Sequence, residues 1–114
     1  MILQIDYKGK KKAIEVRKSS LIGKITGLMF RTSQTPILLF EFKKKTLLSI
    51  HSYFVFFPFL ALWLNEKNHV QQIRIVYPFS TAIAPRKPFQ KLIEIPFSRR
   101  KKDIIRFFVG NKKI

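Results

Sequence analysis

Apolar and polar residues alternate near the start of the chain, as they do in strands that bury one face. The alternation runs through residues 2–7 and again through residues 13–17. Gly9 lies between the two segments and can adopt positive φ without steric cost. The sequence therefore predicts a β-hairpin whose tip is rich in lysine, with Lys8 and residues 10–12 in the connection.

Further apolar segments predict strands in the rest of the chain. They cover residues 37–42, 47–57, 59–65, 70–77 and 92–97. Residues 43–45 and 66–69 are expected to form polar turns, Pro58 a bend, and residues 80–88 a proline-punctuated loop. Several short strands without regular strand–helix alternation favour antiparallel pairing over a parallel sheet.

Two segments have helical spacing. Ser19 or Ser20 offers an N-cap for a helix of two to three turns, whose apolar residues are Leu21, Ile25, Leu28 and Met29. Ser98 offers a cap for a basic helical turn with Ile104, Ile105 and Phe108 on one side. The predicted fold class is mainly β, an antiparallel β-sandwich or barrel-like domain with one or two short helices. The 114 residues are expected to form a single domain.

Residues 46–64 form the longest uncharged stretch and raise the alternative of a membrane span. Four polar side chains and Pro58 interrupt this stretch. Its aromatic and β-branched residues suit a buried strand better than a helix that faces lipid. A membrane is therefore the less favoured partner.

Charge changes the picture more than hydropathy does. The chain has 23 Lys and Arg against six Asp and Glu, which gives a net charge of +17. Such an excess repels itself in a compact domain, and a bound polyanion offsets that repulsion. RNA is the favoured partner, because neutralised phosphates release condensed counterions.

The cations fall into six clusters, all in predicted turns, loops or chain ends. Any single cluster could simply keep the protein soluble or protect a strand edge, but a surface built for solubility alone normally mixes both signs. The predicted RNA-binding residues are Lys8, Lys10, Lys11, Lys12, Arg17, Lys18, Lys43, Lys44, Lys45, Arg86, Lys87, Arg99, Arg100, Lys101, Lys102, Lys112 and Lys113.

Candidate chemistry is sparse. Without cysteine there is no thiolate ligand or thiol nucleophile, and the only histidines are His51 and His69. The four glycines have no phosphate-loop spacing. We therefore expect no enzyme activity, no metal and no cofactor. Four aromatic residues border basic or proline-rich loops and are candidates for stacking on bases, although core packing is favoured for each of them: Tyr7, Tyr77, Phe79 and Phe89.

The order of several sequence blocks resembles a prokaryotic family, domain-of-unknown-function family 192, in its archaeal branch. The blocks are residues 27–31 (GLMFR), 37–42 (ILLFEF), 49–58 (SIHSYFVFFP), 62–66 (LWLNE), 85–88 (PRKP), 92–96 (LIEIP) and 109–111 (VGN). The resemblance implies a compact, mainly-β sandwich and no assigned activity. Family members commonly carry an acid where this chain has Leu60, so their polar cluster is not carried over here.

The leading hypothesis is a non-enzymatic RNA-binding protein that contacts structured RNA, with ribosomal RNA and neighbouring ribonucleoprotein subunits as candidate partners. The alternative is a small-ligand-binding or membrane-surface-associated domain. No signal peptide is evident in the first fifteen residues, which carry charges throughout, and a cytoplasmic location is expected.

Overall fold

The structure is a computed structural model that describes residues 1–19, 28, 31–52, 54–81 and 83–110. The helix predicted to begin after Ser19 or Ser20 lies outside the described residues, apart from Leu28, which is buried. Lys112 and Lys113 also lie outside them.

The predicted hairpin is present. Strand β1 (Ile2–Tyr7) pairs antiparallel with β2 (Lys10–Glu15). The two-residue turn between them has positive φ at both positions, 50° at Lys8 and 79° at Gly9, as the tight hairpin turns require. Strand β2 begins earlier than predicted, so the lysines of residues 10–12 lie on a strand and not in the tip.

A five-stranded sheet forms the centre of the molecule. Its members are β3 (Arg17–Lys18), β4 (Leu38–Thr46), β5 (Phe59–Leu64), β6 (Val70–Val76) and β7 (Phe89–Pro96). Their order is β3-β4-β7-β5-β6, and every pairing is antiparallel except that of the two-residue β3 with β4. The prediction of a mainly-β, sandwich-like or barrel-like fold is confirmed.

Two details of the strand prediction are wrong. Residues 43–45 continue β4 instead of turning, with a register shift between Glu41 and Thr46. The described part of residues 47–57 forms no strand, apart from one isolated bridge between Ile50 and Ile83. Backbone conformation explains the second error, because Phe54 has φ of 57°, which a strand does not accommodate.

The chain closes with a helical segment at the predicted place. A 3₁₀ turn at Arg99–Lys101 leads into helix α1 (Lys102–Val109), which ends at Gly110 with φ of 69°. Ser98 occupies the N-cap position of the 3₁₀ turn, but its hydroxyl makes no capping hydrogen bond. Among the described residues, no helix has the length and apolar character needed to cross a membrane.

The two faces of the five-stranded sheet are covered differently. We call the face that carries Leu60, Leu62 and Leu64 the hairpin face, because β1, β2 and α1 pack on it. We call the face that carries Ala61 and Trp63 the loop face, because it packs against irregular chain before β5 and after β6. Alternate side chains of β5 point to opposite faces, and all six of its residues are buried.

Candidate nucleic-acid interface

Most of the predicted RNA-binding side chains within the described residues are exposed. Lys12 is half-buried and Lys101 is buried, while the others are open to solvent. These exposed cations are Lys8, Lys10, Lys11, Arg17, Lys18, Lys43, Lys44, Lys45, Arg86, Lys87, Arg99, Arg100 and Lys102.

Lys101 has a structural role. Its Nζ donates hydrogen bonds to the carbonyl oxygens of Ser33 (2.9 Å) and Thr35 (2.5 Å). Burial, together with the charge of the adjacent Arg100, lowers the pKa of Lys101. The ammonium group connects the 3₁₀ turn to the chain before β4. Lys101 is therefore not available to bind RNA.

The exposed cations surround the sheet and do not converge on one groove. Arg17 and Lys18 form β3, the strand at one edge. Residues 43–45 lie near the end of β4, where Thr46 pairs with Phe89 at the start of β7. The clusters at residues 86–87 and 99–102 flank the two ends of β7.

Three of the six acids form ion pairs with groups of the same chain. The Asp6 carboxylate lies 3.0 Å from Nε2 of His69, and Glu41 lies 3.3 Å from Nζ of Lys18. Glu15 pairs with the amino group of Met1 at 2.8 Å. Of these three pairs, only that of Glu41 with Lys18 offsets a cation of the predicted RNA-binding clusters.

Glu94, a fourth acid, is buried. It lies on β7 between Leu38 and Ala61, which places it on the loop face. Burial raises its pKa to about 8, so the carboxyl group is neutral at pH 7.

Two lysines of the hairpin lie close to aromatic rings. Lys10 lies opposite Tyr7 in the β1–β2 register, and cross-strand partners point to the same side of the pair. Nζ of Lys8 lies 5.2 Å from the centre of the Tyr7 ring, and Nζ of Lys12 lies 5.9 Å from that of Phe107. Both distances fall within the range of cation–π attraction.

A cleft of about 550 Å³ opens beside this group of cations, where the hairpin, α1 and the edge strand β6 meet. Among the described residues, its walls are apolar and aromatic side chains, its bordering charges are cationic, and no carboxylate lines it. The lining residues are Tyr7, Lys8, Lys10, Leu60, Ile73, Arg74, Ile75, Phe107, Phe108, Val109 and Gly110.

Sequence reasoning identified only part of this cleft. Lys8 and Lys10 were predicted from the basic cluster, and Tyr7 from its place beside it. Arg74 and Phe107 were missed, because they come from β6 and α1 and join the cleft only through tertiary packing. A signal was nevertheless present, since Lys10 and Lys12 share the side of the hairpin on which Ile14 is buried.

The other three aromatic residues that the sequence suggested for base stacking differ in their exposure. Phe89 is fully buried in the core of the loop face and has no face open to a base. Tyr77 and Phe79 are about half exposed, and the Phe79 ring centre lies 6.2 Å from that of Phe54 and 5.5 Å from that of Phe56. We call Phe54, Phe56, Tyr77 and Phe79 the aromatic cluster.

The chemistry of the described residues offers no metal centre. No group of three metal-ligating side chains comes together in this part of the chain. His69 contacts the Asp6 carboxylate, and His51 is half-buried in the irregular chain before β5. His51 therefore does not lie on the apolar strand that the sequence predicted.

Comparison with known proteins adds family and fold. Residues 3–106 match the model of the family DUF192, described as "Uncharacterized ACR". No curated protein shows significant similarity to the sequence.

Two solved structures resemble the fold. A protein of unknown function from Novosphingobium aromaticivorans DSM 12444 has a TM-score of 0.75 and 15% identity, over 97% of this chain and 79% of that one. A "putative transcription regulator" from Sinorhizobium meliloti 1021 has a TM-score of 0.73 and 20% identity, over 90% of this chain and 83% of that one. At these identities the likeness concerns the fold alone.

Proposed function

The chain belongs to the DUF192 family, and we propose that it is a non-enzymatic basic protein that binds structured RNA, as a component of a ribonucleoprotein such as the ribosome. The observation that carries the proposal is the asymmetry of the charges. Three acids are paired within the protein and Glu94 is buried, whereas the cations are exposed around the whole sheet.

A distributed cationic surface suits a folded RNA better than a single extended strand. Lysines and arginines at both ends of β7 and at the β3 edge present charge in several directions. Folded RNA places phosphates around a bound protein, and each neutralised phosphate adds favourable counterion release. Recognition would then rest on backbone and shape more than on base sequence. A cytoplasmic location follows from this proposal.

Binding of a structured RNA across a salt series tests the proposal. Log affinity should fall steeply with log salt, by about 0.9 per phosphate contact as for duplex DNA. Replacing the three lysines of residues 43–45 with glutamine should flatten the slope by up to about 0.9 for each phosphate that is no longer neutralised. Lys67→Gln, an exposed lysine outside the six clusters, is the matched control. A flat slope for the wild-type protein would overturn the proposal.

Association with a native particle tests the wider setting. The protein should sediment with ribonucleoprotein particles on a gradient and should leave them after nuclease treatment or in high salt. Sedimentation as a free protein before and after nuclease would contradict a role as a ribonucleoprotein component.

A second candidate function, association with an anionic membrane surface, is favoured by one observation. The aromatic cluster exposes Phe56 by 63% and Tyr77 by 55% on a strongly basic protein. Exposed rings combined with cations are typical of proteins that lie at a lipid interface. Co-sedimentation with anionic vesicles separates the two functions, because retention after a high-salt wash requires buried apolar contacts and would count against the RNA proposal.

A further inference from the structure

The inner side of the hairpin tip carries lysines where a core would require apolar residues. Strand β2 presents Ile14, Lys12 and Lys10 to one side, in order toward the tip. Ile14 is buried, Lys12 is half-buried and Lys10 is exposed. The apolar layer between hairpin and sheet is therefore open toward the tip, and cations line the opening.

Aromatic rings form the wall beneath these cations. The Tyr7 ring centre lies 5.5 Å from that of Phe108 and 6.4 Å from that of Phe107, and the two phenylalanine rings are 5.0 Å apart. Phe107 is only half-buried, although its neighbour Phe108 is buried. The partly exposed rings of Tyr7 and Phe107 provide surfaces on which a planar ligand can stack.

The dimensions and charges of the cleft define the ligand class. Its volume of about 550 Å³ lies within the usual range for small-molecule sites. Lys8 and Lys10 lie at its border together with Arg74, and none of the described residues that line it carries a carboxylate. A ligand that matches both the rings and the cations has a planar body and a phosphate.

We propose that this cleft binds one unpaired nucleotide, with the base against Tyr7 and Phe107 and the phosphate on Lys8 and Lys10. The inference rests on the proposed RNA binding and extends it, since it adds a base-dependent site to a surface that otherwise reads the backbone. The chemistry is that of a nucleoside phosphate, whether it belongs to an unpaired position of an RNA or to a free mononucleotide.

Fluorescence of a short single-stranded RNA that contains one 2-aminopurine tests the site, because this base loses fluorescence when it stacks. Binding of the wild-type protein should quench the signal. Tyr7→Leu and Phe107→Leu remove a ring and keep every charge. Each should weaken binding roughly fivefold or more, the effect expected for one stacked base, and should reduce the quenching. The salt slope should stay unchanged, because every cation remains in place.

Phe56→Leu is the matched control, because it removes an exposed ring of the aromatic cluster. It should leave affinity and quenching at the wild-type level. Lys8→Gln and Lys10→Gln should flatten the salt slope by about 0.7 for each phosphate left without its cation, the value for single strands.

The wild-type protein alone provides a readout that does not depend on how the variants fold. An RNA with an abasic residue in place of the 2-aminopurine should bind at least fivefold more weakly than the base-containing strand. AMP should displace the 2-aminopurine strand if free nucleotides fit the cleft. Displacement only by longer RNA would assign the site to RNA.

Two results would overturn the nucleotide site while leaving general RNA binding intact. These are equal affinity for the abasic strand, and equal weakening by Tyr7→Leu and Phe56→Leu. A flat wild-type salt slope would instead overturn the proposed function itself.

Discussion

The two faces of the central sheet are built on different principles. The hairpin face is covered by regular elements, which bury aliphatic residues of β5 and β7 together with Phe108 of α1. The loop face is covered by irregular chain and encloses Glu94 and Trp63, whose Oε1 and Nε1 have no hydrogen-bond partner among the described residues. Among the described residues, the two faces thus differ in their cover, and the core of the loop face also holds a buried carboxyl group and a buried indole.

The contrast extends to the backbone. In the cover of the loop face, Phe54 and Phe79 have φ of 57° and 59°, a left-handed conformation that costs roughly 1–2 kcal/mol for a residue with a side chain. The cover of the hairpin face places positive φ at Lys8 and Gly9, where a tight hairpin turn requires it. Backbone strain should therefore lower the stability of the irregular chain on the loop face, whereas the hairpin face has no comparable strain at its turn.

Glu94 should give the largest effect, through pH. Its folded pKa of about 8 lies above the ordinary value of 4.5, so between these values the native state holds a proton that the unfolded state has released. The free energy of unfolding should then decrease as pH rises from 4.5 to 8, by up to about 5 kcal/mol in total, and level off above pH 8. Urea unfolding across this pH range measures the slope.

Glu94→Gln keeps the shape and removes the titration. Its stability should lack this downward slope and should exceed that of the wild-type protein at pH 8. Glu66→Gln, in the exposed turn after β5, is the control and should keep the wild-type slope. If the slope persists in Glu94→Gln, the buried carboxyl is not its source.

Leu62→Ala tests the hairpin face. Leu62 is fully buried on β5, in the apolar layer beneath the hairpin and α1. The truncation should lower the free energy of unfolding by about 2–5 kcal/mol, because the surrounding strands and helix relax only partly into the cavity that it leaves. Urea unfolding at constant pH gives the value, with Leu48→Ala, about half exposed, as a control near zero. A decrease below about 1 kcal/mol, well under the usual range for such a truncation, would show that the hairpin layer is loosely packed.

Ser52→Ala tests what holds the irregular cover together. Ser52 is fully buried; its Oγ donates to the carbonyl of Tyr77 and accepts from the amide of Ser80, both at 2.6 Å. Alanine would leave the Ser80 amide without this partner, which should cost about 2 kcal/mol. Thermal or urea unfolding measures the decrease, and Ser49→Ala, exposed in the same segment, should cost little. Equal stability of the two variants would contradict the anchoring role.

The same contrast explains how far the sequence predicted the structure. The hairpin, β6 and the C-terminal helical turn have regularly spaced apolar residues, and β5 is a continuous apolar run that is buried on both faces. All four elements are confirmed, because the pattern of each matches the way it packs on the core. The segment 47–57 has strand-like composition, yet in its described part the chain crosses the loop face without forming a strand. Composition indicates burial there, and only tertiary context decides the backbone conformation.

The candidate site shows a similar limit. Lysine clusters are visible in the sequence, but neighbouring positions within one cluster have different roles. Lys101 binds the carbonyls of Ser33 and Thr35, whereas Arg99 and Arg100 are exposed. The sequence predicted Tyr7, Lys8 and Lys10 but not the cleft as a whole, because the cleft combines residues from β1, β2, β5, β6 and α1. Net charge can be counted from the sequence, whereas a cleft forms only when elements that are distant in the sequence pack together.

The smallest expected effect is a gain in stability at Phe54. Asparagine tolerates the left-handed region better than phenylalanine, so Phe54→Asn relieves a cost of roughly 1 kcal/mol. The Phe54 ring is 46% exposed, and removing its edge-on packing against Phe79 offsets part of the gain.

The net result should be an increase of about 0.5 kcal/mol in the free energy of unfolding, measured by urea unfolding. Phe56→Asn is the matched control, since Phe56 lacks positive φ and is more exposed. It removes a ring that packs on Phe79 without relieving any strain. If both variants lower stability equally, ring packing outweighs backbone strain in the aromatic cluster, and the loop face is held more tightly than its backbone conformation indicates.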